Sequence, residues 1–328
     1  VLGRLALVAA GVCLAIGLGE LGLRLSSPTL PSLAGLEGLD PRDRSEVQRW
    51  TDPVPQPADC RAAPGTRRVA HRPKRDRYGE GPRERLWVVG DSVVQGWGVA
   101  PGAAWPQLLA QQRAATLGRQ VDLLRLGSPG LGHCGWIADL HHALDGATPD
   151  RVVMQLFGDD LERRELVLVN GQVVAWPRHA LAQRSFLANR LWFAWASRRA
   201  GATPERDTDA AGQARFRRAL RGITARLDTA GVPWQLVLVP PAGIERCTEA
   251  AAWSDCDWLR ADMALIAELL DAEGIPYVDL RSLWAELDPG TLPDEEHAWT
   301  ERGRLPVHPG PPGHAAIAER LAEAGLSP

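Results

Sequence analysis

Hydrophobic and polar positions divide the chain into three stretches of different character. Residues 5–18 (LALVAAGVCLAIGL) form an uncharged apolar run with no polar face at the helical period. Carried through Glu20 to Leu23, the run covers about 19 residues between Arg4 and Arg24, close to the length that crosses a bilayer as a helix. From 27 to 84 the chain reads as a linker, rich in Ser, Pro and Gly at first and basic and turn-rich at its end (RRVAHRPKRDRYGEGPRER). That charge run reads as a solvated face, with anionic lipid headgroups as the sharper alternative.

From residue 85 short apolar runs alternate with amphipathic stretches. Residues 86–89, 121–126, 151–157, 234–239 and 276–280 predict strands; 105–117, 137–144, 257–272 and 313–324 predict helices. Apolar strands separated by helices predict a three-layer α/β/α domain over 85–328, with a flavodoxin-like parallel sheet of about five strands. Between the third and fourth strands, ELVLV and QVVAW flank Asn170-Gly171, the strongest short hairpin signal. With helical stretches near 181–199 and 209–230, this predicts a cap inserted over about 162–230.

Composition removes several function classes. With 37 Lys+Arg against 40 Asp+Glu the net charge is −3, so no basic surplus points to nucleic acid. The single lysine, Lys74, fits a GC-rich genome writing Arg codons. Five Cys without a C-x-x-C spacing exclude a zinc ribbon or a thioredoxin motif, and no His or acidic cluster has metal-ligand spacing. No cofactor or metal is therefore expected. Cys60 with Cys134, and Cys247 with Cys256, can pair; sequence leaves the connectivity open.

The apolar segment 1–26 reads first as an uncleaved single-pass anchor and next as a cleaved signal peptide; a buried core helix is a third reading, which the missing polar face argues against. Val12 before Cys13 argues against a lipoprotein signal. Arg4 on one side and Arg24, Arg42 and Arg44 on the other do not decide orientation by charge. An N-terminal anchor usually directs export of the chain attached to it. The expected location is the inner membrane, with the 85–328 domain in the periplasm or outside the cell.

Chemistry in an open parallel sheet belongs at the carboxyl ends of the strands. Three such ends carry signatures: Gly90-Asp91-Ser92, Gly127-Ser128-Pro129-Gly130 and Gly158-Asp159-Asp160. Val307-His308-Pro309 and Gly313-His314 stand near the end of the chain. A nucleophile, backbone donors and a late-arriving base suit acyl transfer. At these residues the chain resembles the SGNH (GDSL-type) hydrolase superfamily. GDSVVQGWGVAPGAAWPQLL resembles its first block, LLRLGSPGLG its second, QLFGDDL its third and HPGPPGHAAIAERL its last. The resemblance implies Ser92 as nucleophile and oxyanion donor, Gly130 as a second donor, Asp159 at the third-block position, and His308 as base. The segment ending in GELGLRL resembles membrane-anchored members of bacterial envelopes.

Two positions depart from that pattern. Asp159 stands where the family carries an Asn whose amide donates to the oxyanion, and a carboxylate donates only when protonated, which a nearby Asp160 would favour. Leu305 stands where the family carries the Asp that orients the histidine. A dyad with Asp294, Glu295, Glu296, Glu301 or a backbone carbonyl holding the imidazole is the reading that keeps the site working. Asp294 to His297 is itself a D-x-x-H, but the P-x-x-x-G-H and the last helix belong to His308.

Arg125 is expected to pair with a carboxylate such as Asp159. Trp97 and Trp136 are candidates to stack on a sugar. His133, His141, His142 and His314 are expected to be surface, packing or cap residues. The expected function is an acyl-ester hydrolase or acyltransferase on acylated, O-acetylated envelope glycans. The rivals are an impaired SGNH fold kept as a glycan-binding or scaffolding protein, and a lipase at the membrane surface.

Overall fold

Side chains alternate along the strands, and that alternation sets the layers of the protein. The computed structural model describes residues 2–26, 66–67, 74–96, 99–127, 132–158, 160–163, 167–169, 172–174, 176–177, 181, 184–200, 205–206, 208–241, 256–287 and 308–326. Two compact units divide the chain. One comprises Val1–Pro53, Ala62–Ala70 and Arg164–Pro204; the other Val54–Arg61, His71–Arg163 and Glu205–Pro328. The main helices are α1 (Leu2–Ser26), α2 (Trp105–Leu117), α3 (His133–Gly146), α4 (Phe186–Ala200), α5 (Ala210–Thr229), α6 (Cys256–Glu273) and α7 (Pro311–Leu321).

The second unit is built on six strands, β1 (Lys74–Tyr78), β2 (Arg83–Gly90), β3 (Gln120–Gly127), β4 (Arg151–Phe157), β5 (Trp234–Val239) and β6 (Tyr277–Asp279). Their order is β6-β5-β4-β2-β3-β1. The five strands predicted from apolar runs are all present, parallel and in the flavodoxin-like order. β1, drawn from the stretch with a linker's composition, pairs antiparallel with β3. The sheet is therefore mixed and six-stranded, not parallel and five-stranded. The sequence of β1, KRDRY, has one apolar residue, and charged side chains suit an edge strand that must not recruit another chain. A search for apolar runs passes over such a strand.

Leu86 and Val88 of β2 face one side of the sheet, Trp87 and Val89 the other. The first side buries Trp105 and Leu109 of α2 with Ile317 and Leu321 of α7. The second buries Trp136, Ile137 and Leu140 of α3, Phe216 and Ile223 of α5, and Ile266 and Leu270 of α6. α5, which the sequence pattern assigns to the insertion, is thus a layer helix of the sheet unit. At the amino end of β2, Glu84 and Arg113 form a buried ion pair at 2.7 Å, their side chains 9% and 6% exposed.

In the other unit, α1 packs on α4. Two short strands, Val167–Val169 and Gln172–Val174, pair antiparallel with Val169 opposite Gln172, as the Asn170-Gly171 signal predicts. Gly19 of α1 faces Leu187 of α4: a Cβ at Gly19 would lie 4.0 Å from the Leu187 Cδ2. Glu20 accepts hydrogen bonds from Ser185 Oγ at 2.8 Å, Phe186 N–H at 3.0 Å and Leu187 N–H at 2.9 Å, which caps the first turn of α4. Among the described residues no helix is long and apolar enough to cross a membrane.

Candidate active site

β2 ends at Gly90 and delivers Asp91 and Ser92 to the carboxyl edge of the sheet, where β2 lies between β3 and β4. Crossovers leave β2 and β3 in opposite directions here, and an open α/β sheet parts its loops at such a point. Ser92 opens a single helical turn, Ser92–Gln95, capped by Asp91, whose Oδ1 accepts from the Val93 N–H at 2.8 Å. The same oxygen accepts from Gln155 Nε2 at 2.7 Å. Gln155 is fully buried on β4, and its Oε1 accepts from the Trp105 indole at 3.1 Å. The residue before Ser92 is thus tied both to the middle of the sheet and to the first turn of α2. Gly127 makes room for this turn: a Cβ there would lie 2.7 Å from the Gln95 nitrogen and 2.9 Å from the Asp91 carbonyl oxygen.

His308 arrives from the far end of the chain, and its Nε2 lies 2.8 Å from Ser92 Oγ. Close packing behind it sets the approach. A Cβ at Gly313 would lie 2.7 Å from the Pro309 Cβ and 3.3 Å from the Trp284 ring, so only glycine allows α7 this near to Trp284. His314, one turn into the same helix, is fully buried. Its Nδ1 accepts from the Trp105 N–H at 3.1 Å, so its own proton sits on Nε2, which has no partner among the described residues. Burial first, and then the neighbouring His308, pulls its pKa down to about 3. His314 is therefore neutral at ordinary pH, and no fixed positive charge from it opposes an imidazolium at His308.

The loop after β4 is held by Asp160. Its buried carboxylate accepts from the Trp136 indole at 2.9 Å and the Phe157 N–H at 2.6 Å. Its carbonyl accepts from the His133 N–H at 3.0 Å and from His133 Nδ1 at 2.7 Å. His133 packs edge-to-face on Phe216, as a packing histidine should.

Of the residues singled out in the sequence, the structure brings Ser92 and His308 together. Gly130, Asp159, Leu305, Trp97, His297 and the acidic candidates Asp294, Glu295, Glu296 and Glu301 lie outside the described residues. Arg125 pairs with a carboxylate as expected, that of Asp76 of β1 at 3.0 Å, and donates to the Gln95 carbonyl at 2.8 Å. One expectation needs correction. Trp136 is fully buried and committed to Asp160, so its ring faces are not open to a sugar. Cys134 is disulfide-bonded; Cys60 and Cys247 lie outside the described residues, as does the Cys256 side chain. Gln155 opens the third block but was not singled out as a site residue; a lone polar residue inside the apolar strand RVVMQLF is its signal. Among the described residues no cluster of three His, Cys, Asp or Glu could hold a metal ion.

A family model described as the GDSL-like Lipase/Acylhydrolase family matches residues 88–316, a span that contains the whole Ser92–His308 arrangement. The chain belongs to that family. This acylhydrolase is accordingly an ester-hydrolysing enzyme. None of the curated proteins matches it. It is similar to the solved structure of LAE5, an α/β hydrolase enzyme from the metagenome of Lake Arreo, Spain, at 19% identity and a TM-score of 0.45, over 76% of this chain and 98% of that one. It is similar to the acetyl xylan esterase AlAXEase at 15% identity and a TM-score of 0.41, over 73% and 98% of the two chains. For TesA the values are 16% identity and a TM-score of 0.42, over 74% and 99%.

Proposed function

We propose that this acylhydrolase uses Ser92 as nucleophile and His308 as general base, and that its substrates are acylated, chiefly O-acetylated, glycans of the bacterial envelope. The observation that carries the reading is the 2.8 Å contact between His308 Nε2 and Ser92 Oγ, residues 216 positions apart in sequence. With the imidazole proton on Nδ1, Nε2 accepts from the Ser92 hydroxyl, the geometry a general base requires. His308 takes that proton as Oγ attacks the ester carbonyl. The oxyanion forms against the backbone N–H groups of Ser92 and Gly130, with Asp159 contributing when protonated. His308 then returns its proton to the departing alcohol, leaving an acyl group on Ser92. Water, deprotonated by His308, releases the acid; a sugar hydroxyl in its place completes acyl transfer.

Envelope residence is supported by the apolar run of α1, which we take to attach the chain to the inner membrane with the hydrolase unit outside the cytoplasm. A disulfide at Cys134 fits an oxidising compartment.

The test is acetate release by the purified full chain from p-nitrophenyl acetate and from an O-acetylated polysaccharide. His308→Gln lowers kcat on both by on the order of 10²- to 10⁴-fold, the usual share of a general base. Turnover of p-nitrophenyl acetate with none on the polysaccharide would overturn the glycan half of the proposal. Unchanged turnover in His308→Gln would overturn the base.

A further inference from the structure

The described large apolar side chains that stand exposed fall in one place. Val12, Leu14, Ile16, Leu18, Leu21 and Leu25 belong to α1, Leu191 and Trp195 to α4, and Leu181 precedes α4. All belong to the unit that α1 and α4 share. Leu191 and Trp195 are four apart, so they share one face of α4, and they are 65% and 51% exposed. The two helices are joined by charge. Glu20 caps the first turn of α4, and Arg24 pairs with Glu20 at 2.8 Å, donates to the Arg184 carbonyl at 2.8 Å and lies over the Phe186 ring at 5.4 Å. Beside this joint is an open groove of about 400 Å³. Cys13, Ile16 and Gly17 line it along α1, and Glu20, Arg24, Arg184 and Ser185 line it where the helices meet.

We propose that α4 is a second lipid-contacting element, held at the membrane interface by Glu20, with Leu191 and Trp195 in the bilayer surface and an anionic phospholipid in the groove. This rests on the reading that α1 attaches the chain to a membrane. Three observations favour lipid over a protein partner. The groove pairs an apolar wall with a polar end where two guanidinium groups, Arg24 and Arg184, outnumber the one carboxylate, Glu20, which matches an acyl chain beneath a phosphate headgroup. α4 carries Trp192, Phe193 and Trp195 beside Arg190, aromatic and cationic side chains of the kind found at a membrane interface. The carboxylate that interrupts the apolar run of α1 is used to fix the start of α4, which places that start near the end of the run. The hydrolase would thereby meet the membrane through part of its insertion as well as through α1.

The test uses the full chain in vesicles of phosphatidylethanolamine and phosphatidylglycerol carrying a trace of phosphatidylglycerol with a diazirine on its acyl chain. After irradiation and trypsin digestion, cleavage after arginine isolates residues 5–24 of α1 and residues 191–198 of α4. Lipid adducts are expected on both peptides. Glu20→Ala lowers the adduct on 191–198 by about fivefold, the factor that loss of a helix cap corresponds to, and leaves 5–24 labelled. Leu191→Ser, at a 65% exposed position, lowers vesicle-bound labelling of that peptide as well. Adducts on 5–24 with background on 191–198 would overturn the proposal and leave the α1 anchor standing. Cross-linking of α4 to a second copy or to another protein in place of lipid would overturn it in the same way. A chain that does not float with the vesicles and labels at neither peptide would overturn the anchor reading and this proposal together. An adduct on 191–198 undiminished in Glu20→Ala would remove Glu20 from its role.

Discussion

The same residue types are put to opposite uses in the two units. In the sheet unit Leu86, Val88, Val153, Ile317 and Leu321 are at 0% exposure. In the α1 unit Leu14, Leu18 and Leu25 stand 65%, 60% and 80% exposed. Full burial of a Leu side chain contributes about 1.5–3 kcal/mol, so the sheet unit gains its stability from its own core while α1 and α4 keep apolar surface in reserve. Polar groups differ in the same way. Around Ser92 they form buried chains, Trp105 to Gln155 to Asp91, that fix the turn carrying Ser92. Around Glu20 they splice one helix to the next. A unit that closes its own core can hold its site side chains in fixed positions.

Breaking a buried polar contact in the sheet unit is the strongest way to sharpen that contrast. Arg113→Met leaves Glu84 charged and buried without its guanidinium, which costs ~3–5 kcal/mol of folding free energy. Denaturant unfolding measures it, and a loss below ~1 kcal/mol would show that the pair is not sealed from water. A smaller effect is expected from pH. A free histidine titrates near 6.5, but His314 is held down at about 3, so between these values the unfolded chain binds one proton more than the folded one. Stability therefore falls as pH drops below 6.5, by ~1.4 kcal/mol per pH unit from this group. His314→Gln, whose amide oxygen can still accept the Trp105 N–H, removes that share of the acid slope; an unaltered slope would place the titration elsewhere. The smallest effect belongs to the other unit. Leu191→Ser at a 65% exposed site changes stability in buffer by less than ~0.5 kcal/mol. A loss several times larger in thermal unfolding would mean that the face is covered.

Sequence makes the sheet legible where strands are buried on both faces, because RVVMQLF or WQLVLV can only be core. It cannot show β1, whose KRDRY is held by strand pairing, by Arg125 to Asp76 and by one apolar side chain, Tyr78, on the core. The pairing of Ser92 with His308 is legible because both lie in motif blocks, and the structure places them in contact across 216 positions. The supporting network is not. Gln155 looks like an ordinary exception in a strand until Asp91 and Trp105 are seen on either side of it. Trp136 misleads because it stands near a motif, while its spacing puts it on the buried face of α3 with Ile137 and Leu140. Glu20 reads in sequence as a carboxylate reaching an interface; its partners at Ser185, Phe186 and Leu187 lie too far along the chain for any local pattern to reveal.

The most direct test of the Ser92–His308 pair is labelling of the full chain with a fluorophosphonate, with the adduct mapped by mass spectrometry alongside p-nitrophenyl acetate turnover. A single adduct on Ser92 is expected, with labelling abolished in Ser92→Ala and turnover reduced by on the order of a thousandfold or more. An adduct on another residue, or turnover that survives undiminished in Ser92→Ala, would contradict the assignment of Ser92 as the nucleophile.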